Sequence, residues 1–310
     1  MDPLEDVLSL LEMRSHVSAS LKAGGHWAVR FDGPPGVKFN AVRRGHCVLE
    51  VESLDDPIAL SPGDCYLLTR PQRFILRSDP PGPEVDASTV FRSVERNVAH
   101  VGTGQDVMLI GGRFSFGAPG QELLLADLPS VIHVPAGTAN AETIEWALAI
   151  IERELSDKPM ASTLVAENLA VVMLVHVLRL YLAREPQMAS GWLAGMADPV
   201  VAAALTSLHA DPVRSWTVAE LAQAGAVSRS NLAARFKALV GQGPLEYLTH
   251  WRMQLAAQKL RMSSETISSI ARSTGYGSES AISTAFKRVM GVPPSAYRKH
   301  HQMRGSRVPN

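Results

Sequence analysis

Two sets of side chains suited to touching a nucleic acid stand about fifty residues apart in the last third of this 310-residue sequence. The first is Arg229, Ser230, Ala233, Ala234 and Lys237; the second is Glu279, Ser280, Ala281, Thr284, Lys287 and Arg288. Both fall at helical spacing, while Leu232, Phe236, Leu239 and Val240 in one run, and Ile282 and Phe286 in the other, fill an apolar stripe. Hydroxyls and cations presented on such a face can donate to phosphate oxygens and to base edges in a major groove. The two sets differ, so they should read different bases, and the small residues of the first favour backbone contacts over direct readout.

A second constellation lies far upstream. Lys38, Asn40, Tyr66 and Arg73 fall on predicted strands and could line a pocket for an anionic or polar small molecule; a solvent-facing arrangement fits the same spacing. Metal chemistry of the kind small β-barrels support needs about three histidines and a carboxylate on one ion. Here Lys38 and Asn40 occupy the strand where a His-x-His would stand, and His46 is alone. His133 and His176 read as core or hydrogen-bonded residues, and no nucleophile has a partnered base at a recognisable spacing. No cofactor or metal is expected. Cys47 and Cys65 could form a redox pair or be two inert buried thiols, and so low a cysteine count fits a reducing cytoplasm.

The elements that must position the first constellation repeat. Phe236-Lys237 is echoed by Phe286-Lys287, Gly241 by Gly291, Pro244 by Pro294, Tyr247 by Tyr297, and Ala222 by Ala271. Each copy predicts a helix, a tight turn and a second helix, with Gly225-Ala226-Val227 or Gly275-Tyr276-Gly277 at the turn and Ser228 or Ser278 as cap. The second turn is one residue longer. Between the copies, Gly243-Pro244 starts a spacer helix whose buried face holds Leu245, Leu248, Trp251, Leu255 and Leu260. A rigid spacer that set the two outer helices roughly 34 Å apart would place them in successive major grooves. Charge supports a duplex partner: residues 200–310 hold 14 Lys/Arg against 5 Asp/Glu, while residues 1–199 hold 16 against 25. The zero net charge of the whole chain hides a basic half that suits phosphate contacts.

The runs "LAQAGAVSRSNLAARFKALVGQGPLEYLTHWRMQLAAQKL" and "ISSIARSTGYGSESAISTAFKRVMGVPPSAYR" resemble the AraC/XylS family of bacterial transcription regulators. That resemblance implies promoter DNA and RNA polymerase as partners, activation as the usual outcome, and Ser230, Ala233, Ala234, Ser280, Ala281 and Thr284 at base-reading positions. Ala226 departs from a position where glycine is common.

Residues 28–134 change character, with β-rich runs at 37–42 and 47–51 punctuated by Gly45, Pro57, Pro62-Gly63 and Pro71. The Gly45 to Pro62-Gly63-Asp64 pattern is similar to the small β-barrel called a cupin, and "GGRFSF" and "LADLPSVIHV" resemble the same sensor group. This implies an interior able to hold an effector. Helices are predicted near 141–155 and 162–184, for packing on the barrel or for the homodimerisation that the resemblance implies. The apolar stretch from Leu169 to Leu182 reads as a buried helix too short and polar to span a bilayer, and the acidic N-terminus is unlike a secretory signal. A soluble cytoplasmic protein is expected.

The fold expected is therefore α+β in two domains: a cupin-like N-terminal β-barrel with flanking helices, and an all-α C-terminal domain with two helix-turn-helix units joined by a linker helix. The boundaries are a sensor over 1–185, a linker over 186–199, a DNA-binding domain over 200–300 and a tail over 301–310. The function expected is an effector-responsive, sequence-specific transcription regulator; the alternatives are a metal-dependent cupin enzyme fused to a DNA-binding module and a constitutive DNA-binding protein.

Overall fold

The computed structural model describes residues 3–10, 13–92, 94, 97–116, 125, 128–184 and 191–305. Two compact units divide the chain, and the division is not a single cut, because the first helix belongs with the C-terminal helices.

In the sheet unit, β1 (Arg14–Val17), β2 (Ser20–Gly24), β4 (Val37–Arg44), β7 (Cys65–Leu68), β10 (Val98–Gly102), β11 (Val107–Ser115) and β12 (Val131–Val134) make a seven-stranded sheet. Its order is β10-β2-β11-β4-β7-β12, with β1 also paired to β11. The other sheet, five-stranded, runs β6 (Ile58–Leu60), β5 (Cys47–Val51), β8 (Arg73–Arg77), β3 (Ala28–Asp32) and β9 (Glu84–Asp86). A one-turn helix, α2 (Ala87–Val90), follows β9.

The barrel expected from the sequence is not closed. From β2 to β5 each strand joins the opposite sheet from the one before it, and no pairing among the described residues links the sheets into one cylinder. Gly45 turns β4 into β5 at φ +72°, and a Cβ there would run into the backbone of Asp106 and Val107. Alternation then fills the space between the sheets with Leu21, Val29, Phe31, Val42, Leu49, Val51, Phe74, Leu76 and Leu109. Burying each such side chain stabilises by about 1.5–3 kcal/mol.

Two helices accompany the seven-stranded sheet, α3 (Glu142–Asp157) and α4 (Ser162–Arg184). They pack on each other, α4 also meets β1 and β12, and Arg43 of β4 pairs with Glu152 of α3 at 2.8 Å. At 23 residues α4 is longer than its apolar stretch suggested, and it is the one helix among the described residues long and apolar enough to cross a bilayer. One side of it, including Ala170, Met173, Leu174 and Val177, is buried within the sheet unit, as in the core helix the sequence predicts.

The helical unit comprises α1 (Pro3–Leu10), α5 (Gly191–Ala197), α6 (Pro199–Ala210), α7 (Val218–Ala224), α8 (Arg229–Val240), α9 (Pro244–Met262), α10 (Ile267–Ser273), α11 (Glu279–Met290) and α12 (Pro294–Gly305). Two boundaries differ from the sequence reading. The linker expected over 186–199 contains α5, whose Trp192 and Leu193 are buried, and α5 packs on α6 and α8. Within the expected sensor, α1 instead buries Leu4, Val7 and Leu10 in the helical unit and packs on α6 and α9. Asp6 of α1 lies 3.2 Å from His209 Nδ1, and His209 Nε2 meets the Tyr247 hydroxyl at 2.8 Å. The first of these contacts joins residues 203 positions apart, beyond the reach of any local pattern.

Candidate functional site

The duplicated sequence becomes two pairs of helices, α7 with α8 and α10 with α11. Thr217 opens the first pair with a capping box: its hydroxyl accepts from Glu220 N at 3.2 Å, and its own N–H donates to the Glu220 carboxylate at 2.8 Å. Hydrogen bonds from Thr217, then from Arg214, draw the Glu220 carboxyl down to about 2. The turn is held by Val227 N–H donating to the Ala222 carbonyl at 3.0 Å, and its counterpart is Tyr276 N–H donating to the Ala271 carbonyl at 2.8 Å. Ala226 and Gly275 occupy the same left-handed position, φ +52° and φ +80°. Gly277 is the additional residue of the longer turn.

Ser228 and Ser278 then cap α8 and α11, accepting from Asn231 N at 3.3 Å and Ala281 N at 3.2 Å. Both helices end at a left-handed glycine, Gly241 or Gly291, and Pro244 or Pro294 begins the next helix. One buried aromatic pair supports each copy: Phe236 against Tyr247, ring centres 5.9 Å apart, and Phe286 against Tyr297, 5.3 Å, both edge to face. The spacer α9, 19 residues and about 28 Å long, contributes Tyr247, Leu248 and Trp251 to the first half and Met253, Ala256, Ala257 and Leu260 to the second. Leu245, expected inside, is exposed at 40%. Pro244 takes the inward position of the first turn, and Leu245 points about 100° away from it around the helix.

With the apolar faces occupied, the outward faces follow. Arg229, Ser230, Ala234 and Lys237 on α8 are exposed, as are Glu279, Ser280, Ala281, Thr284, Lys287 and Arg288 on α11. Ala233 is only half-buried surface, like its repeat equivalent Ser283. The sequence reading passed over Asn231, exposed in the first turn of α8 at the place Ala281 holds in α11. Applying the fifty-residue offset strictly would have found it. Its amide can pair with an adenine edge through two hydrogen bonds. Arg235 points elsewhere, to Asp198, the N-cap of α6.

The second constellation divides. Lys38 and Asn40 point inward from β4 and line one small cavity with Ser18, Leu21, Phe31, Leu76, Phe91, Leu109 and Gly111. Tyr66, opposite Asn40 in the register, is fully buried and accepts a 2.7 Å hydrogen bond from the Asn40 amide. Burial pushes the Tyr66 phenol well above its ordinary range, so it stays protonated. Arg73 is not with them. It faces outward from β8, 3.7 Å from Glu84, beside an open hollow of about 420 Å³ whose walls include Glu50, Glu52, Asp55 and Asp56.

The cysteines also lie on different faces. Cys47 joins the interior cluster with Leu49 and Val51, whereas Cys65 alternates with the inward Tyr66 and so faces the other side of its sheet. Burial, then the charge of Asp64, raises both thiols to about 12. His133 is committed to Asp64 at 3.2 Å, and that carboxylate also accepts from Ala136 N at 2.7 Å and Ser61 N at 3.0 Å. Among the described residues no three His, Cys, Asp or Glu side chains converge as a metal site would need.

Comparison with known proteins agrees with both units. Residues 2–183 match the family model described as cupin, and residues 221–300 match that of a helix-turn-helix domain. An AraC-like transcription regulator of Streptomyces lividans is 67% identical over 98% of this chain and 100% of its own length. The regulator AlkR of Acinetobacter baylyi is 27% identical over 96% and 99%. Among solved structures, the DNA-binding domain of AdpA with a target DNA is 28% identical, covering 36% of this chain and 99% of that one at a TM-score of 0.34.

Proposed function

Because the chain belongs to the AraC family of DNA-binding transcription regulators and carries a cupin-like ligand-sensing domain, we propose that it reads promoter DNA with the outward faces of α8 and α11. One observation carries this reading: the two helices share caps, ends and buried aromatic pairs but expose different side chains. Shared support with divergent faces is what reading two different half-sites requires. Ser280, Ala281 and Thr284 make base contacts from α11; Asn231, Ser230 and Ala234 do so from α8; Arg229, Lys237, Lys287 and Arg288 hold phosphates. Glu279 accepts from a cytosine amine.

An effector between the two sheets shifts the population of DNA-competent molecules, and bound protein then presents RNA polymerase to the promoter. The protein acts in the cytoplasm and binds rather than catalyses, a reading supported by the names of its relatives. Two copies pair through α3 and α4, where Trp146, Leu164, Val165 and Val172 leave apolar surface exposed. The test is selection of bound sequences from random duplexes by the full-length protein. Recovery of a defined two-part site supports the proposal, and recovery of unrelated sequences with uniform affinity overturns it.

A further inference from the structure

The two copies in the helical unit share one spacer but not one core. The apolar cluster of the second, which includes Leu260, Ile270, Ile282, Phe286 and Tyr297, contains no residue of α7 or α8. Arg252 stands midway along α9, between Trp251, buried in the first half, and Met253, buried in the second. Its half-buried guanidinium reaches both copies. Nε donates to the Pro212 carbonyl at 2.7 Å, and Nη2 donates to the carbonyls of Val213 at 3.2 Å and Arg214 at 2.9 Å. Those three residues lie on the segment that leads from α6 into α7. The same cation stands 5.7 Å from the centre of the Tyr276 ring, in the turn between α10 and α11. The segment and the turn lie against each other here: a Cβ on Gly275 would come within 2.6 Å of the Val213 carbonyl oxygen and 2.7 Å of Arg252 Nη2.

Both ends of this bridge are themselves tied down. Asp211 accepts from Arg214 N through its carboxylate at 3.2 Å and from the Trp216 indole through its carbonyl at 2.8 Å. The Arg214 guanidinium lies over the Trp216 ring, 4.2 Å from its centre, and pairs with Glu220 of α7 at 2.6 Å. In the second copy the Tyr276 N–H is held by the Ala271 carbonyl of α10 at 2.8 Å. Arginine suits the junction because its planar fork serves several carbonyls at once and its charge is permanent, whereas a lysine offers a point charge on a flexible stem. We propose that Arg252 is a positioning residue that braces the approach to α7 against the α10–α11 turn, fixing the separation and rotation of α8 relative to α11 and hence the spacing of the two parts of the DNA site. The inference rests on the reading that both helices contact DNA and names the residue that sets their register. One base pair more or fewer between the two parts turns them by about 35° around the duplex and moves them about 3.4 Å along it. A braced pair of helices cannot follow that change. Without the brace, bending of α9 lets the copies adjust to it.

Two measurements on the full-length protein test the brace. In the first, nitroxide labels are attached through Ala224→Cys and Ser273→Cys, exposed residues that end α7 and α10; the native cysteines are buried. Labelled protein is diluted into unlabelled protein, and pulsed electron paramagnetic resonance gives the distance within one chain, without DNA. A single narrow distance is expected in the wild-type background and a clearly broadened distribution with Arg252→Met. In the second, affinity at fixed salt is compared for the selected site and for versions with one base pair inserted or removed between its two parts. Wild type should lose at least about tenfold on either change and Arg252→Met less than about threefold, with base preferences inside each part kept and Arg252→Lys falling between. Gly275→Ala drives a methyl against the guanidinium and the Val213 carbonyl without removing the charge. It should shift the label distance too, and it decides the matter if Arg252→Met does not fold. Label distances unchanged in both variants, or a spacing preference as strict in Arg252→Met as in wild type, would overturn the brace. Broadened distances in a protein whose wild type selects no two-part site would sink the reading of α8 and α11 as DNA readers and leave the brace standing.

Discussion

Replacing Lys38 by methionine should make the sheet unit more stable, the reverse of what most substitutions of a buried residue do. The lysine falls from 10.5 to about 8 on folding. At about 1.36 kcal/mol per unit, the folded protein bears a cost of about 3 kcal/mol whenever the amine is protonated in both states. Methionine has a similar length and no charge to desolvate, so most of that cost should be recovered at pH 7. The pH dependence follows from proton counting. Below pH 8 both states hold the proton and the cost is fully present; between 8 and 10.5 only the unfolded chain holds it, so wild-type stability rises with pH. Above 10.5 both are neutral and the variant should have no advantage. The chain's two cysteines both lie in this unit and both are buried, so thiol labelling in a urea series isolates its unfolding from that of the helical unit. A gain of about 2–3 kcal/mol at pH 7 that disappears by about pH 11 supports the reasoning. A variant less stable than wild type at pH 7 would show that the ammonium has a partner or a path to water, and the burial reasoning would fail.

Three further outcomes are expected. Ala226→Gly should be neutral or stabilising by up to about 1 kcal/mol, because a left-handed non-glycine costs about 1–2 kcal/mol and glycine's added chain entropy takes back part of the gain. Gly275→Ala should destabilise by more, since a Cβ there meets the Val213 carbonyl and the Arg252 guanidinium; urea unfolding followed by circular dichroism compares the two. Truncating Trp192 to alanine, which is 2% exposed, should cost the helical unit about 3–5 kcal/mol, and a fragment starting at residue 200 should melt well below one starting at residue 191. Native protein should resist iodoacetamide at both cysteines at pH 7, since thiols raised to about 12 hold almost no thiolate; mass spectrometry showing either one alkylated within minutes would contradict their burial.

What the sequence made legible was local. The paired helices could be read because Ser228 and Ser278, Gly241 and Gly291, and Pro244 and Pro294 each act within a few residues of their own position. Strands β4 and β5 were legible for the same reason. Closure of the sheets was not, because which strand pairs with which depends on partners tens of residues away, and a barrel and two facing sheets present the same alternation along each strand. The docking of α1 rests on Asp6 meeting His209, which no periodicity within either segment encodes. For Arg73 the solvent-facing alternative holds: Phe74 and Leu76 claim the inward positions of β8, so parity places it outside. Lys38 followed the opposite course: Val42 fixes the inward parity of β4, and the lysine and Asn40 share it despite their polarity.

The central claim, that α8 and α11 read different parts of one DNA site, is tested most directly by a single measurement. The affinities of wild type, Asn231→Ala, Thr284→Ala and Lys237→Ala are determined against every single base-pair change in the selected site, at fixed salt. The account predicts that Asn231→Ala and Thr284→Ala each relax preference at their own base pairs by about 1–3 kcal/mol, at positions about one helical turn apart. Lys237→Ala should weaken all sequences evenly and lower the salt dependence by about one phosphate's worth. Three uniform losses, or two helices mapping to the same base pairs, would contradict it.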